Sequence, residues 1–233
     1  MPETWPRDAV EQRVTELIGL GRDREAAILA TTRRRDPRPE PVTTQAVTTQ
    51  GDIMDVLRQL DLLGPTLGGV AAGITPDQLD APTPCARFTV RGVLEHMVSG
   101  ATVFAAAFRG EGAPEPDLSD PLASFGPAMG NLMDAIHAPG ALERTVPTPG
   151  GDARGEDFAQ FVVLDGLVHG YDLATATGQA YDPEPELVEI VTRFAEQALA
   201  GLRDGETFKE PTNPPADSTP IEGLAALTGR TVR

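Results

Sequence analysis

Asp165, His169 and Asp172 fall within FVVLDGLVHGYDLATATG, residues 161–178, at spacings of four and three. On a helix a carboxylate and an imidazole four residues apart lie about 5–6 Å from one another at Cβ. On a 3.6-residue period they share a stripe with Phe158, Phe161, Val162, Val168, Leu173 and Ala176, so they point inward. An unpaired inward carboxylate costs several kcal/mol, much of a domain's net stability. Two arrangements remove that cost: a hydrogen-bonded Asp165–His169 pair, or a divalent cation shared by the two side chains.

His96, in VRGVLEHMVSG, is a third candidate ligand on another apolar-faced segment. Two imidazoles and one carboxylate would leave coordination positions open, the arrangement that metal catalysis requires. A core-edge histidine with ordinary hydrogen bonds is the alternative for His96. His137, in MDAIHAPG, reads as a helix C-terminal imidazole favoured by the helix dipole. Cys85, in APTPCARFTV, reads as a small buried hydrophobe. Arg154 and Arg230 read as exposed surface arginines, with binding of an anionic substrate as the alternative.

The elements that must position these groups are helices. An amphipathic segment over Arg7–Ala30 is followed by TTRRRDPRPEPVTTQAVTTQGD, whose Pro, Thr and charge mark a linker. This divides the chain near Gly51 into a helical extension over 1–51 and a main domain over 52–233. Helices are predicted over Ile53–Gly73, from an N-capping Thr89 to Phe108, and over Pro121–His137. Further helices cover Glu156–Ala176, capped by Gly178, and Pro185–Leu202. A short extended piece falls at Glu143–Val146, and a Pro-rich tail ends in one short helix. Such a pattern predicts an all-α antiparallel bundle, with any cofactor or metal held between facing helices.

Composition narrows the function classes. The 233 residues carry a net charge of -16 and one lysine, Lys209, which argues against nucleic-acid binding; the run TTRRRDPR around Arg33–Arg35 is the exception and reads as a solvated linker charge cluster. No apolar run reaches the roughly 20 residues of a spanning helix, and the N-terminus lacks the pattern of a secretion signal. A single cysteine rules out an intrachain disulfide or a multi-cysteine metal cluster. A cytoplasmic protein without membrane or nucleic-acid partners is the expectation, and a homodimer is compatible with everything in the sequence.

PTPCARFTVRGVLEHMVSG, GALERTVPTPGG, DGLVHGYDLATATGQ and the tail LAALTGR, in this order, resemble the mycothiol-dependent maleylpyruvate isomerase N-terminal domain group of the DinB-like helical bundles. The similarity runs from about Ile53 to the end. It implies a DinB-like antiparallel four-helix bundle, here with an additional C-terminal helix and the N-terminal helical extension. It also implies one divalent metal, usually zinc, held by His96, Asp165 and His169. Asp165 stands where the characterised isomerases have Glu, one methylene longer. Asp172 matches the acidic residue of the HGxDLA run and is expected to orient a ligand or to serve the structure. The implied activity is that of a metal-dependent thiol S-transferase or isomerase, with mycothiol as cosubstrate and an electrophilic small molecule as substrate. A non-catalytic metal-binding stress or regulatory module is the alternative. The characterised isomerase has a further C-terminal domain where this sequence has a short tail, so the maleylpyruvate reaction itself is not expected.

Overall fold

The computed structural model describes residues 54–148, 151–199 and 209–232. The segment Arg7–Ala30, the boundary near Gly51 and the far end of the fifth predicted helix lie outside them. The described residues form α1 (Val56–Ala72), α2 (Val90–Arg109), α3 (Pro121–His137), α4 (Gly155–Thr177), α5 (Pro185–Ala198) and α6 (Pro220–Leu227). Their starts follow local chemistry. Asp55 accepts from Arg58 N at 2.8 Å, Thr89 from Gly92 N at 3.3 Å and Asp120 from Ala123 N at 3.1 Å. Each satisfies a backbone donor that a helix start leaves open. Thr219 and Glu222 form a capping box at α6. Gly178 ends α4 in the left-handed conformation at φ 70°, as its position predicts.

The extended piece expected at Glu143–Val146 is a strand displaced toward the C-terminus, β1 (Thr145–Thr148), paired antiparallel with β2 (Gly151–Arg154). The partner strand comes from GGDAR, whose composition reads as turn alone; pairing Val146 with Ala153 buries Val146 against the bundle.

Helices α1 and α2 each contact both α3 and α4, closing a four-membered ring. Gln179, just past α4, donates from Nε2 to Val70 O at 3.0 Å, joining the C-terminal ends of α1 and α4. His137 Nε2, at the end of α3, lies 3.0 Å from Asp61 Oδ1 in the first half of α1. Thus α1 runs alongside α4 and against α3. Helices α5 and α6 pack on the outside of α4, which makes α4 the central element. Its expected single inward stripe is therefore incomplete. Val163, Leu164 and Leu167 are fully buried away from that stripe, whereas Phe161 and Val162 on it are half-buried, because α5 and α6 cover a second face. Phe161 meets Phe194 of α5 edge-on at 5.0 Å between ring centres. Gly166 admits α1, since a Cβ there would stand 2.7 Å from Leu63 Cδ2.

Two helices of the ring carry the same short pattern: GPTLG at 64–68 in α1 and GPAMG at 126–130 in α3. Pro65 and Pro127 lie inside their helices and have no N–H for the carbonyl four residues back. The glycine before each proline spares a clash between the ring and a Cβ. The second glycine has no such reason, for a Cβ at Gly68 or Gly130 would meet nothing within 4 Å. Gly68→Ala and Gly130→Ala should each stabilise the fold by about 0.5–1 kcal/mol. A higher urea midpoint at unchanged slope is the expected reading; a lower one would mean that backbone contacts at these positions matter more than helix propensity.

Candidate metal centre

Capped at Thr89, α2 buries Val90, Val93, Leu94 and Met97, which sets His96 on the flank of that face with 14% of its side chain exposed. From α4 come Asp165 and His169, one turn apart, with side chains 42% and 7% exposed. His96 Nε2 stands 3.5 Å from Asp165 Oδ1, and His169 Nε2 stands 3.4 Å from the same oxygen. The two imidazole centres are 4.9 Å apart, and one ligand atom from each of the three residues lies within 4.8 Å of the others. The structure thus brings together the three residues that the sequence singles out.

These separations bear on the two arrangements open to the cluster. A nitrogen–oxygen hydrogen bond to a carboxylate is ordinarily 2.7–2.9 Å long. Donors about 2.0–2.1 Å from one tetrahedral ion lie roughly 3.3–3.4 Å from each other. Both contacts to Asp165 are long for direct bonds and match the edge of a coordination tetrahedron. Two imidazole nitrogens and a carboxylate oxygen are also the donor set of known catalytic zinc sites, so the residues present fit a divalent ion.

Burial pushes the Asp165 carboxyl upward, but the adjoining His169 and His96 and the more distant Arg230 overcome it, holding the group far below the usual carboxylate range, as suits an ion-pair partner and a metal ligand alike.

Behind His169 lies a second layer. His169 Nδ1 is 3.0 Å from Asp172 Oδ2, and Asp172 is fully buried. A carboxylate only accepts, so Nδ1 carries the proton and the Nε2 lone pair faces Asp165 and His96. Asp172 in turn receives Arg230, whose Nη2 donates to Oδ2 at 2.8 Å and whose Nε donates to Oδ1 at 3.3 Å. Burial pushes the Asp172 carboxyl up, while the hydrogen bond from His169 and the charge of Arg230 bring it below its ordinary value. Arg230 is 7% exposed, which corrects its reading as a surface arginine: the tail after α6 carries it inward to an otherwise uncompensated carboxylate. Burial disfavours its charge, yet Asp172 raises its pKa on balance.

Phe88 closes one side of the cluster. Its ring stacks on His96 at 5.4 Å between centres and meets His169 edge-on at 6.2 Å. Phe88 N donates to Cys85 O at 2.9 Å, and Thr83 Oγ1 donates to Phe88 O at 2.7 Å, fixing the loop before α2. The Pro-rich composition of that loop conceals this part.

The remaining candidates supply none of the three clustered donor atoms. Cys85 is half-buried, with its thiol pushed up by burial and eased only in part by Arg230. His137 Nδ1 donates to Met133 O at 2.9 Å at the helix end, besides pairing with Asp61 through Nε2. Arg154 is exposed and pairs with Glu156 at 3.1 Å. No helix among the described residues is long and apolar enough to cross a membrane.

Residues 60–174 match the family described as the mycothiol maleylpyruvate isomerase N-terminal domain. Two uncharacterized proteins of Mycobacterium tuberculosis, from strains CDC 1551 and H37Rv, are each 33% identical over 185 residues, covering 77% of this chain and 100% of their own length. The chain belongs to this family. No solved structure matches. The stretch matching the mycothiol maleylpyruvate isomerase N-terminal domain contains His96, Asp165, His169 and Asp172, whereas Arg230 lies beyond its end. The mycothiol relation attaches to the family, while the candidate triad and its support rest on geometry in this chain.

Proposed function

We propose that this protein holds one divalent ion, zinc in the first instance, through His96, Asp165 and His169, and uses it to activate a low-molecular-weight thiol of the mycothiol type for S-transfer or isomerisation. The observation that carries the reading is the pair of 3.4 and 3.5 Å separations around Asp165 Oδ1, which match ligand-to-ligand distances about one ion. Such an ion would supply Lewis acidity, the chemistry that lowers a thiol pKa toward neutral pH. Asp165 contributes negative charge at the open side of the site. Asp172 keeps the proton of His169 on Nδ1 and so reserves Nε2 for ligation. Phe88 shields the two imidazoles from water on one side. The cytoplasm, where free thiols persist, is the proposed setting.

Cobalt-loaded protein titrated with mycothiol tests the activity separately from the metal. An intense near-ultraviolet thiolate-to-cobalt band, saturating at one thiol per chain, is the expected result. Cobalt binding without any thiol-dependent band would instead support the non-catalytic metal-binding module and remove the transferase reading.

A further inference from the structure

Asp165 opens onto a groove of about 690 Å³ bounded by α1, α2, α3 and α4. That volume falls in the range of small-molecule sites, roughly 300–1,000 Å³. Its walls are Leu, Ile, Val, Met, Phe, Ala, Pro and Gly throughout, and Asp165 is the one ionisable residue among them. Gly68 and Gly130, whose missing side chains leave open space, both lie on this wall, as do the flexible thioethers of Met97, Met129 and Met133. Glycine inside a helix normally weakens it. Here, on two facing helices, it keeps the groove wide.

We infer that the groove receives the second substrate, an uncharged molecule with an extended apolar body whose single polar, electrophilic end reaches the His96–Asp165–His169 centre. Three observations select this class. An anion would meet no lysine or arginine on the walls and would lose its hydration without a partner. A dicarboxylate is thereby excluded twice over. A polyhydroxylated thiol such as mycothiol would find no side-chain partner for its many hydroxyl groups on these walls beyond Asp165, so only its sulfur end is placed at the centre and its sugars remain outside the groove. Conversely, burying apolar surface against Leu60, Leu67 and Phe125 is favourable at every point along the groove. The inference names a substrate class for the activity proposed above and rests on that reading for the chemistry alone, because groove binding is measurable without metal or thiol.

The test uses the full chain, stripped of metal and again loaded with zinc, with the uncharged dye N-phenyl-1-naphthylamine, which fluoresces in apolar surroundings. Saturable binding of one dye per chain is expected in both forms, with displacement by 2-decanone and none by maleate at equal concentration. Gly68→Leu with Gly130→Leu fills the groove with better helix formers and should weaken dye binding about tenfold or more, leaving zinc content and helical circular dichroism unchanged. The milder Gly68→Ala with Gly130→Ala pair should give an intermediate loss and covers the case in which the leucines disturb folding. Undiminished dye binding in the filled variants, displacement by maleate as effective as by 2-decanone, or no dye binding to the full chain would each overturn the inference. Sedimentation showing that a second copy occupies the groove and excludes the dye would overturn it too. Normal dye binding without a mycothiol-dependent cobalt band would sink the thiol reading and leave the groove assignment standing.

Discussion

His169→Ala is expected to take bound zinc from one equivalent per chain to background, and His96→Ala to do the same from the other helix. Even loss of a group that merely orients a ligand costs about 10–100-fold in metal affinity, so loss of a ligand atom should exceed about 100-fold. His169 is the more sensitive position, because its ring is 7% exposed and fixed by Asp172, leaving no other imidazole able to reach the vacancy. Asp165→Asn removes the charge at the oxygen that both imidazoles face and should weaken zinc by a comparable factor. Asp165→Glu, one methylene longer, should retain it. His137→Ala supplies the control, since that imidazole pairs with Asp61 at the α1–α3 contact. Metal content by elemental analysis after dialysis, measured alongside circular dichroism, decides the matter. Zinc at far below one equivalent in the unmodified protein, unaffected by His96→Ala, would leave only a buried Asp–His pair.

The parts of this centre that follow local rules were legible in the amino-acid sequence. Asp165 and His169 are one helical turn apart, and the apolar spacing of Val90, Val93, Leu94 and Met97 orients α2 so that His96 flanks its buried face. The caps at Thr89 and Gly178 likewise depend on neighbours a few residues away. What escaped depends on chain topology. Arg230 reaches Asp172 across 58 residues, and nothing local separates it from a surface arginine except the repeated need of a buried carboxylate for a partner. Phe88 belongs to a loop whose prolines speak of backbone conformation and say nothing of where an aromatic ring will lie. The burial of a second face of α4 reflects α5 and α6, two helices whose own periodicity does not reveal their partner. The paired GPTLG and GPAMG patterns were a readable signal, but only their position on facing helices gives them meaning.

Arg230→Met should be the most damaging single substitution outside the candidate triad. It leaves the carboxylate of Asp172, with no exposed side-chain surface, accepting from His169 alone. Removing one partner of a buried ion pair typically costs about 3–5 kcal/mol, a large part of a domain's stability. Urea denaturation of metal-free protein should therefore shift strongly downward. Replacing both partners with apolar groups, Arg230→Met with Asp172→Leu, removes the stranded charge together with its counterion, and stability should return to near the starting value. Metal affinity should not return with it. Without Asp172 nothing accepts the Nδ1 proton of His169, the ring loses its fixed orientation, and zinc should bind about 10–100-fold more weakly. The two readouts part company for a physical reason: stability responds to whether the buried charges balance, whereas affinity responds to whether one imidazole presents its Nε2 to the centre. A double variant that recovers both would show that the ion pair serves the fold alone. An Arg230→Met protein as stable as the original would place the arginine away from Asp172 in solution and dissolve the link between the C-terminal tail and the metal centre.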